Sequence, residues 1–199
     1  TEEKDTIEMM EEQNEIDISG WDLRKSLRLL WKSNPPLLER IQSPIIYKSD
    51  TRFVSEINEI ADKAYSKIAT MHHYLSMAKK MNEELGENKE YKLKKFFYAL
   101  RASVACLWIL EQNTKPPIEF VKMISGLNIK PSITKRIVEL IDIKALKSEQ
   151  YFHEGEGEVR QFINECIEKA HGEAKNLPAS NCRMNVLNDF FRKMVLNDN

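Results

Sequence analysis

The chain opens with short alternating stretches and continues with long segments of helical periodicity. Within residues 6–18, the stretches 6–10 and 16–18 each alternate apolar and polar positions at a period of two, which predicts extended chain, and the Ser19-Gly20 pair breaks that alternation. From Trp21 to Trp31 apolar side chains recur every three or four residues, with basic residues on the other face. This pattern predicts an amphipathic helix after the strands.

From about residue 50 onward the pattern is helical throughout. Capping residues, prolines and glycines divide this part into segments near 50–65, 67–85, 90–112, 116–126, 131–148, 156–175 and 183–196. Residues 153–158, which read His-Glu-Gly-Glu-Gly-Glu, indicate a flexible connection. The sequence therefore predicts an α+β fold, mostly α, in which a small strand-containing domain over 1–48 precedes a helical bundle over 49–199.

Composition predicts a soluble globular protein of the cytoplasm with no membrane partner. Of the 199 residues, 42% are hydrophobic and 31% are charged. No apolar run approaches the ~20 residues that a membrane-spanning helix needs. The three cysteines follow no paired spacing, which favours reduced thiols over a disulfide framework.

Charge is balanced overall but unevenly distributed. The net charge of −1 gives no global argument for nucleic-acid binding. Basic residues nevertheless crowd two helical segments, 24–32 and 89–101. Two solvated helix faces are one interpretation of these clusters, and two faces that converge on phosphate are the other.

The second basic cluster contains a candidate phosphate-binding stripe. Lys94, Tyr98 and Arg101 are spaced i, i+4 and i+7, so they share one edge of the predicted helix beside its apolar face. Arg101 could bind a triphosphate in bidentate fashion, with Lys94 as a point charge. A surface lysine with a snorkelling arginine is the equally simple alternative. The helix that carries Lys79 offers a second wall for the same phosphate-binding site.

Several ordered blocks of this sequence carry a resemblance to a known family. The blocks are Asp17–Lys25, Lys32–Pro35, Ser43–Tyr47, His73–Lys80, Lys92–Arg101 and Trp108–Pro117. They resemble the nucleotidyltransferases of the DNA polymerase β superfamily, in particular the branch associated with RNA ligases. The resemblance covers roughly residues 7–150.

The resemblance implies Mg²⁺-dependent transfer of a nucleoside monophosphate from a nucleoside triphosphate, with release of pyrophosphate. The acceptor is left open between RNA, a protein and a small molecule. Asp17, flanked by Ile16 and Ile18, matches the third catalytic, metal-binding carboxylate of the family. Lys25, one helical turn away, is then a phosphate contact. Residues 1–48 would be the C-terminal part of the catalytic domain, and 49–199 would close over the nucleotide.

One departure from the family pattern limits this expectation. The family supplies its other carboxylates as Asp-x-Asp after a Gly-Ser turn, and these 199 residues contain neither motif. The chain is therefore expected to be inactive alone, as part of a longer enzyme. The alternative is a catalytically silent relative whose helices hold a protein or an RNA as a regulatory module.

Overall fold

The computed structural model of the chain describes residues 6–10, 17–86 and 89–196, without the side chains of 7–10, 17 and 18. These residues divide into two compact units, Thr1–Ser66 with Ser180–Asn199, and Lys67–Ala179. The predicted α+β, mostly α, fold class is confirmed. The spatial units follow boundaries other than 48/49, and the catalytic and nucleotide-closing roles given to 1–48 and 49–199 stay predictions.

Helices dominate both units, and the strands form two antiparallel pairs. In chain order the elements are β1 (Thr6–Met10), β2 (Asp17–Trp21), α1 (Leu23–Trp31), α2 (Pro35–Ile41), α3 (Thr51–Ala64), α4 (Lys67–Leu85), β3 (Glu90–Lys92), α5 (Leu93–Gln112), α6 (Phe120–Ser125), α7 (Pro131–Leu146), β4 (Phe152–Glu154), α8 (Gly157–Glu173) and α9 (Met184–Leu196). None of the described helices is both long and apolar enough to span a membrane.

The predicted helices lie close to the observed ones, and the errors concern strands. The break expected at Ser19-Gly20 is wrong, because both residues pair with β1 and β2 continues to Trp21. The expectation that everything after residue 50 is helical is wrong at β3 and β4, which pair with Tyr91 opposite His153. Strands of three residues are too short to show a period of two.

Residues 153–158 are not the flexible connection that their composition indicated. His153 lies in β4 and is buried, and Glu156 is the residue before the first turn of α8. The Glu156 carboxylate accepts hydrogen bonds from Arg136 and pairs with His153. Long-range partners thus order a segment that is rich in glycine and glutamate.

Side-chain caps fix the helix starts in the first unit. Asp22 accepts a hydrogen bond from the Lys25 backbone N–H at 3.0 Å, and Asp50 accepts one from the Phe53 N–H at 2.9 Å. Asn34 does the same for Leu37 at 3.2 Å. Each cap satisfies a backbone donor that a helix start leaves unpaired.

The core of the first unit joins the two ends of the chain. Its buried side chains come from α1, α2, α3 and α9, among them Leu30, Ile60, Leu187 and Phe190. Because α9 buries its apolar face here, residues 180–199 belong to the unit that contains the N-terminal strands.

The second unit is built around α5, which is its most buried helix. Phe96, Leu100 and Val104 are inaccessible to solvent and belong to the same core cluster as residues of α4 and α8. The exposed positions of α5 are few, namely Lys95, Tyr98, Glu111 and Gln112, while Lys94 and Arg101 are half-buried.

The backbone of Gly126, at the C-terminal end of α6, lies close against the ring of Trp108. A Cβ at Gly126 would lie 2.5 Å from Cζ3 of Trp108, and the indole Nε1 donates to Thr114 Oγ1 at 3.0 Å. We expect Gly126→Ala to lower the free energy of unfolding by about 1–3 kcal/mol, because the anchored ring must move. Urea denaturation followed by circular dichroism measures this change.

A matched control lies in α8. A Cβ at Gly172 meets nothing within 4 Å, so Gly172→Ala is expected to leave stability unchanged or to raise it by about 0.5–1 kcal/mol. Equal losses in the two variants would contradict the role assigned to the Trp108 contact.

Candidate functional site

A cavity in the second unit lies between α5, α6 and the C-terminal end of α7. Its volume is about 710 Å³. We call it the α5–α7 groove. Its apolar floor and its charged rim come from the same three elements and from the loop after α7. The floor includes Leu93, Phe97, Phe120, Ile141 and Ala145, and the rim includes Lys94, Tyr98, Arg101, Glu119, Lys144, Lys147 and Glu149.

The structure brings together three of the residues predicted for nucleotide binding. Lys94, Tyr98 and Arg101 all line the α5–α7 groove. Their common edge follows from the spacing along α5, and the burial of the other faces of this helix leaves that edge at the surface. The predicted stripe therefore forms one wall of a real cavity.

The charge of the rim is positive. Four cationic side chains and two carboxylates line the groove, a difference of two positive charges at neutral pH. Lys94 Nζ lies 2.8 Å from Glu149 Oε2. This hydrogen bond raises the pKa of Lys94 and lowers the pKa of the Glu149 carboxyl. Lys94 thus already binds one anionic group of the chain itself, the Glu149 carboxylate.

Aromatic rings form the base of the groove. Phe97 and Phe120 meet edge to face, with ring centroids 6.3 Å apart. Lys144 Nζ lies 5.7 Å from the Phe97 ring centroid, so a cation borders the aromatic floor. An anionic ligand with a flat apolar part matches this combination of surfaces.

The sequence pattern did not predict that α7 supplies side chains to the groove. Ile141, Lys144 and Ala145 follow i, i+3 and i+4 spacing, which could have marked one helix edge. Nothing in the local sequence shows that this edge faces α5, because that depends on how the helices pack.

The other predicted site residues lie elsewhere. Lys25 is in the first unit, where its Nζ lies 2.6 Å from Thr6 Oγ1 and 5.4 Å from the Trp21 ring centroid. Lys79 is half-buried on α4 and does not line the α5–α7 groove. Asp17 begins β2 opposite Met10, and its side chain lies outside the described part of the chain. The roles of these three residues stay predictions.

Among the described side chains, clusters of three metal-binding residues are not found. Within residues 6–10, 17–86 and 89–196, as far as side chains are described, no three His, Cys, Asp or Glu residues are placed to hold a metal ion. The rim of the α5–α7 groove is mostly cationic, and hard divalent cations need oxygen ligands. The chemistry of this groove suits an anion.

Comparison with known proteins identifies the superfamily and then the family. The family described as an RNA repair pathway DNA polymerase beta family matches residues 1–193. The chain belongs to this family, and the predicted relation to the DNA polymerase β superfamily is confirmed.

A relative from Bacillus subtilis (strain 168), the protein YcgL, is 35% identical over 164 residues. The match covers 82% of this chain and 63% of YcgL, so the chain spans less than two thirds of the length of that relative. No solved structure matches the chain.

Proposed function

We propose that the chain is part of a Mg²⁺-dependent nucleotidyltransferase, and that the α5–α7 groove holds its nucleoside triphosphate. The observation that carries this proposal is the convergence of Lys94, Arg101, Lys144 and Lys147 on one aromatic-floored cavity in a member of the polymerase β superfamily. Phosphoryl-type transfer depends mainly on positioning and on stabilising phosphate charge. The cationic side chains of the groove can position the triphosphate and stabilise its negative charge.

The groove residues have distinct proposed roles. The planar guanidinium of Arg101 can donate two parallel hydrogen bonds to one phosphate group, which orients it. Lys94 and Lys144 act as point charges beside it. Phe97 and Phe120 provide the apolar surface on which a nucleobase can lie.

The metal-binding half of the proposed enzyme is not contained in the described residues. In the complete enzyme, Asp17 would supply one metal-binding carboxylate. An Asp-x-Asp motif, which this sequence lacks, would supply the other two. Bound Mg²⁺ would neutralise charge between the phosphates during transfer. The chain alone is therefore proposed to bind nucleotide without turning it over, and the acceptor stays open between RNA, a protein and a small molecule.

Binding of Mg²⁺-ATP to neighbouring lysine variants tests this proposal. Lys94 and Lys95 are adjacent on α5, and each pairs with a glutamate at 2.8 Å, but only Lys94 lines the groove. We expect Lys94→Ala to weaken ATP affinity about tenfold or more, and Lys95→Ala to change it less than about twofold. Isothermal titration calorimetry measures both. Absence of saturable binding, or equal losses in the two variants, would contradict the proposal.

Removing the Glu149 carboxylate, which pairs with Lys94, is expected to strengthen ATP binding, whereas removing Lys94 weakens it. Glu149 is 76% exposed at its side chain and competes with an incoming phosphate for Lys94. We expect Glu149→Gln to tighten ATP binding about two- to fivefold, because an exposed ion pair of this kind is weak. Glu84→Gln, which frees Lys95 outside the groove, is the control and should change nothing. Weaker binding in Glu149→Gln would show that this carboxylate helps to hold the ligand.

A further inference from the structure

The first unit contains a second groove, which the proposed nucleotide site does not use. It lies between α1 and α9 and has a volume of about 340 Å³. We call it the α1–α9 groove. Leu27, Leu187 and Phe191 form its apolar floor, and Arg24, Arg28 and Asn188 form its polar rim. No carboxylate is among the described residues that line it.

A row of basic side chains on α1 includes two that line this groove, Arg24 and Arg28, and continues past it to Lys32. Arg24, Arg28 and Lys32 are four residues apart along α1 and its C-cap, and all three are exposed. The rise of an α-helix places successive members about 6 Å apart. The sequence of α1 contains no acidic residue, so its positive charge is not neutralised within the helix. Because the net charge of the chain is −1, this row is a local feature.

An aromatic ring lies directly beside the basic row. The Arg24 guanidinium carbon is 5.6 Å from the ring centroid of Phe191, and both side chains line the groove. The groove therefore presents a cation and a π-face side by side. Proteins bind single-stranded nucleic acid with this combination, in which cations track the phosphates and aromatic faces support the bases.

We infer that the α1–α9 groove binds single-stranded nucleic acid through its sugar-phosphate backbone. Arg24, Arg28 and Lys32 contact successive phosphates, and Phe191 offers a stacking surface to a base. An acidic peptide would satisfy the charges but would not use the aromatic floor in this way. The inference is independent of nucleotide binding, because every residue that carries it lies outside the α5–α7 groove.

Anisotropy of a fluorescein-labelled oligouridylate of about 10 nucleotides, measured at several salt concentrations, tests the inference. We expect salt-dependent binding that weakens on the order of tenfold in the double variant Arg24→Gln/Arg28→Gln. The slope of log K against log salt should fall by about 1.4, since each lost contact to a single strand removes about 0.7. Lys32→Gln alone should lower the slope by about 0.7.

Two controls make the test decisive. Arg52→Gln removes an exposed arginine of the same unit outside the groove and should leave oligouridylate binding unchanged. ATP affinity should be the same in all these variants. Wild-type affinity in both the double variant and Lys32→Gln, or an equal loss in Arg52→Gln, would overturn the inference. Polyglutamate binding that matches oligouridylate binding in every variant would also overturn it.

Discussion

Replacing Arg101 with alanine is expected to weaken binding of Mg²⁺-ATP by roughly 10- to 100-fold. Arg101 lines the α5–α7 groove one helical turn from Tyr98 and two from Lys94. A hydrogen bond to a charged group contributes about 1.5–3 kcal/mol, and a bidentate guanidinium makes two such bonds to one phosphate. Isothermal titration calorimetry of the wild type and the variant measures the loss directly.

The conservative variant separates charge from geometry at this position. Arg101→Lys keeps the positive charge but cannot form the planar two-point contact, so its ATP affinity should fall between the wild type and Arg101→Ala. Thermal unfolding by circular dichroism checks that both variants fold. Wild-type affinity in Arg101→Ala would remove this residue from the binding site.

Loss of the Glu156 side chain is expected to produce the largest stability change outside the apolar core. Its side chain is 5% exposed, and one carboxylate oxygen lies 2.5 Å from Arg136 Nη2 and 2.8 Å from His153 Nε2. Glu156→Ala leaves both donors without this acceptor, at a cost of about 2–4 kcal/mol. Urea denaturation near pH 7 measures the difference in the free energy of unfolding.

Backbone strain at the same residue provides an internal comparison. Glu156 has φ of 69°, in the left-handed region that favours glycine. Glu156→Gly loses the same carboxylate but relieves the strain, so it should be about 1 kcal/mol more stable than Glu156→Ala. Equal stability of the two variants would show that the strain is negligible.

Lowering the pH should remove the contribution of the Glu156 carboxylate to the free energy of unfolding. Burial raises the pKa of its carboxyl, but hydrogen bonds from Arg136 and His153 outweigh burial and hold that pKa below its ordinary value. A carboxyl whose pKa is lowered by folding stabilises the native state above its unfolded pKa, and this stability is lost as pH falls through the folded pKa. The stability difference between the wild type and Glu156→Gln should therefore shrink progressively below about pH 4.5. A constant difference from pH 7 to pH 3 would contradict this account.

The sequence predicted well those features that depend on local spacing. The stripe of Lys94, Tyr98 and Arg101 was predictable because one long helix sets the relative directions of its own side chains. The same reasoning located the helices of both units to within a few residues, since periodicity and caps act over one or two turns.

Features that depend on packing between distant segments were not predictable in this way. The cavity forms because α7 lies along α5. The separate sequences of these two helices do not show that Lys144 lies near Phe97. The segment 153–158 was misjudged for the same reason, because Arg136, twenty positions from Glu156, orders it.

The most direct test of the central claim is an NMR titration of the isotope-labelled chain with Mg²⁺-ATP. If the α5–α7 groove holds the triphosphate, the backbone amide signals of residues 93–101 and 141–149 should shift in a saturable manner. The signals of α9 should stay unchanged in the same titration. Shifts confined to α1 and α9, or no saturable shift in 93–101 and 141–149, would contradict the placement of the nucleotide in this groove.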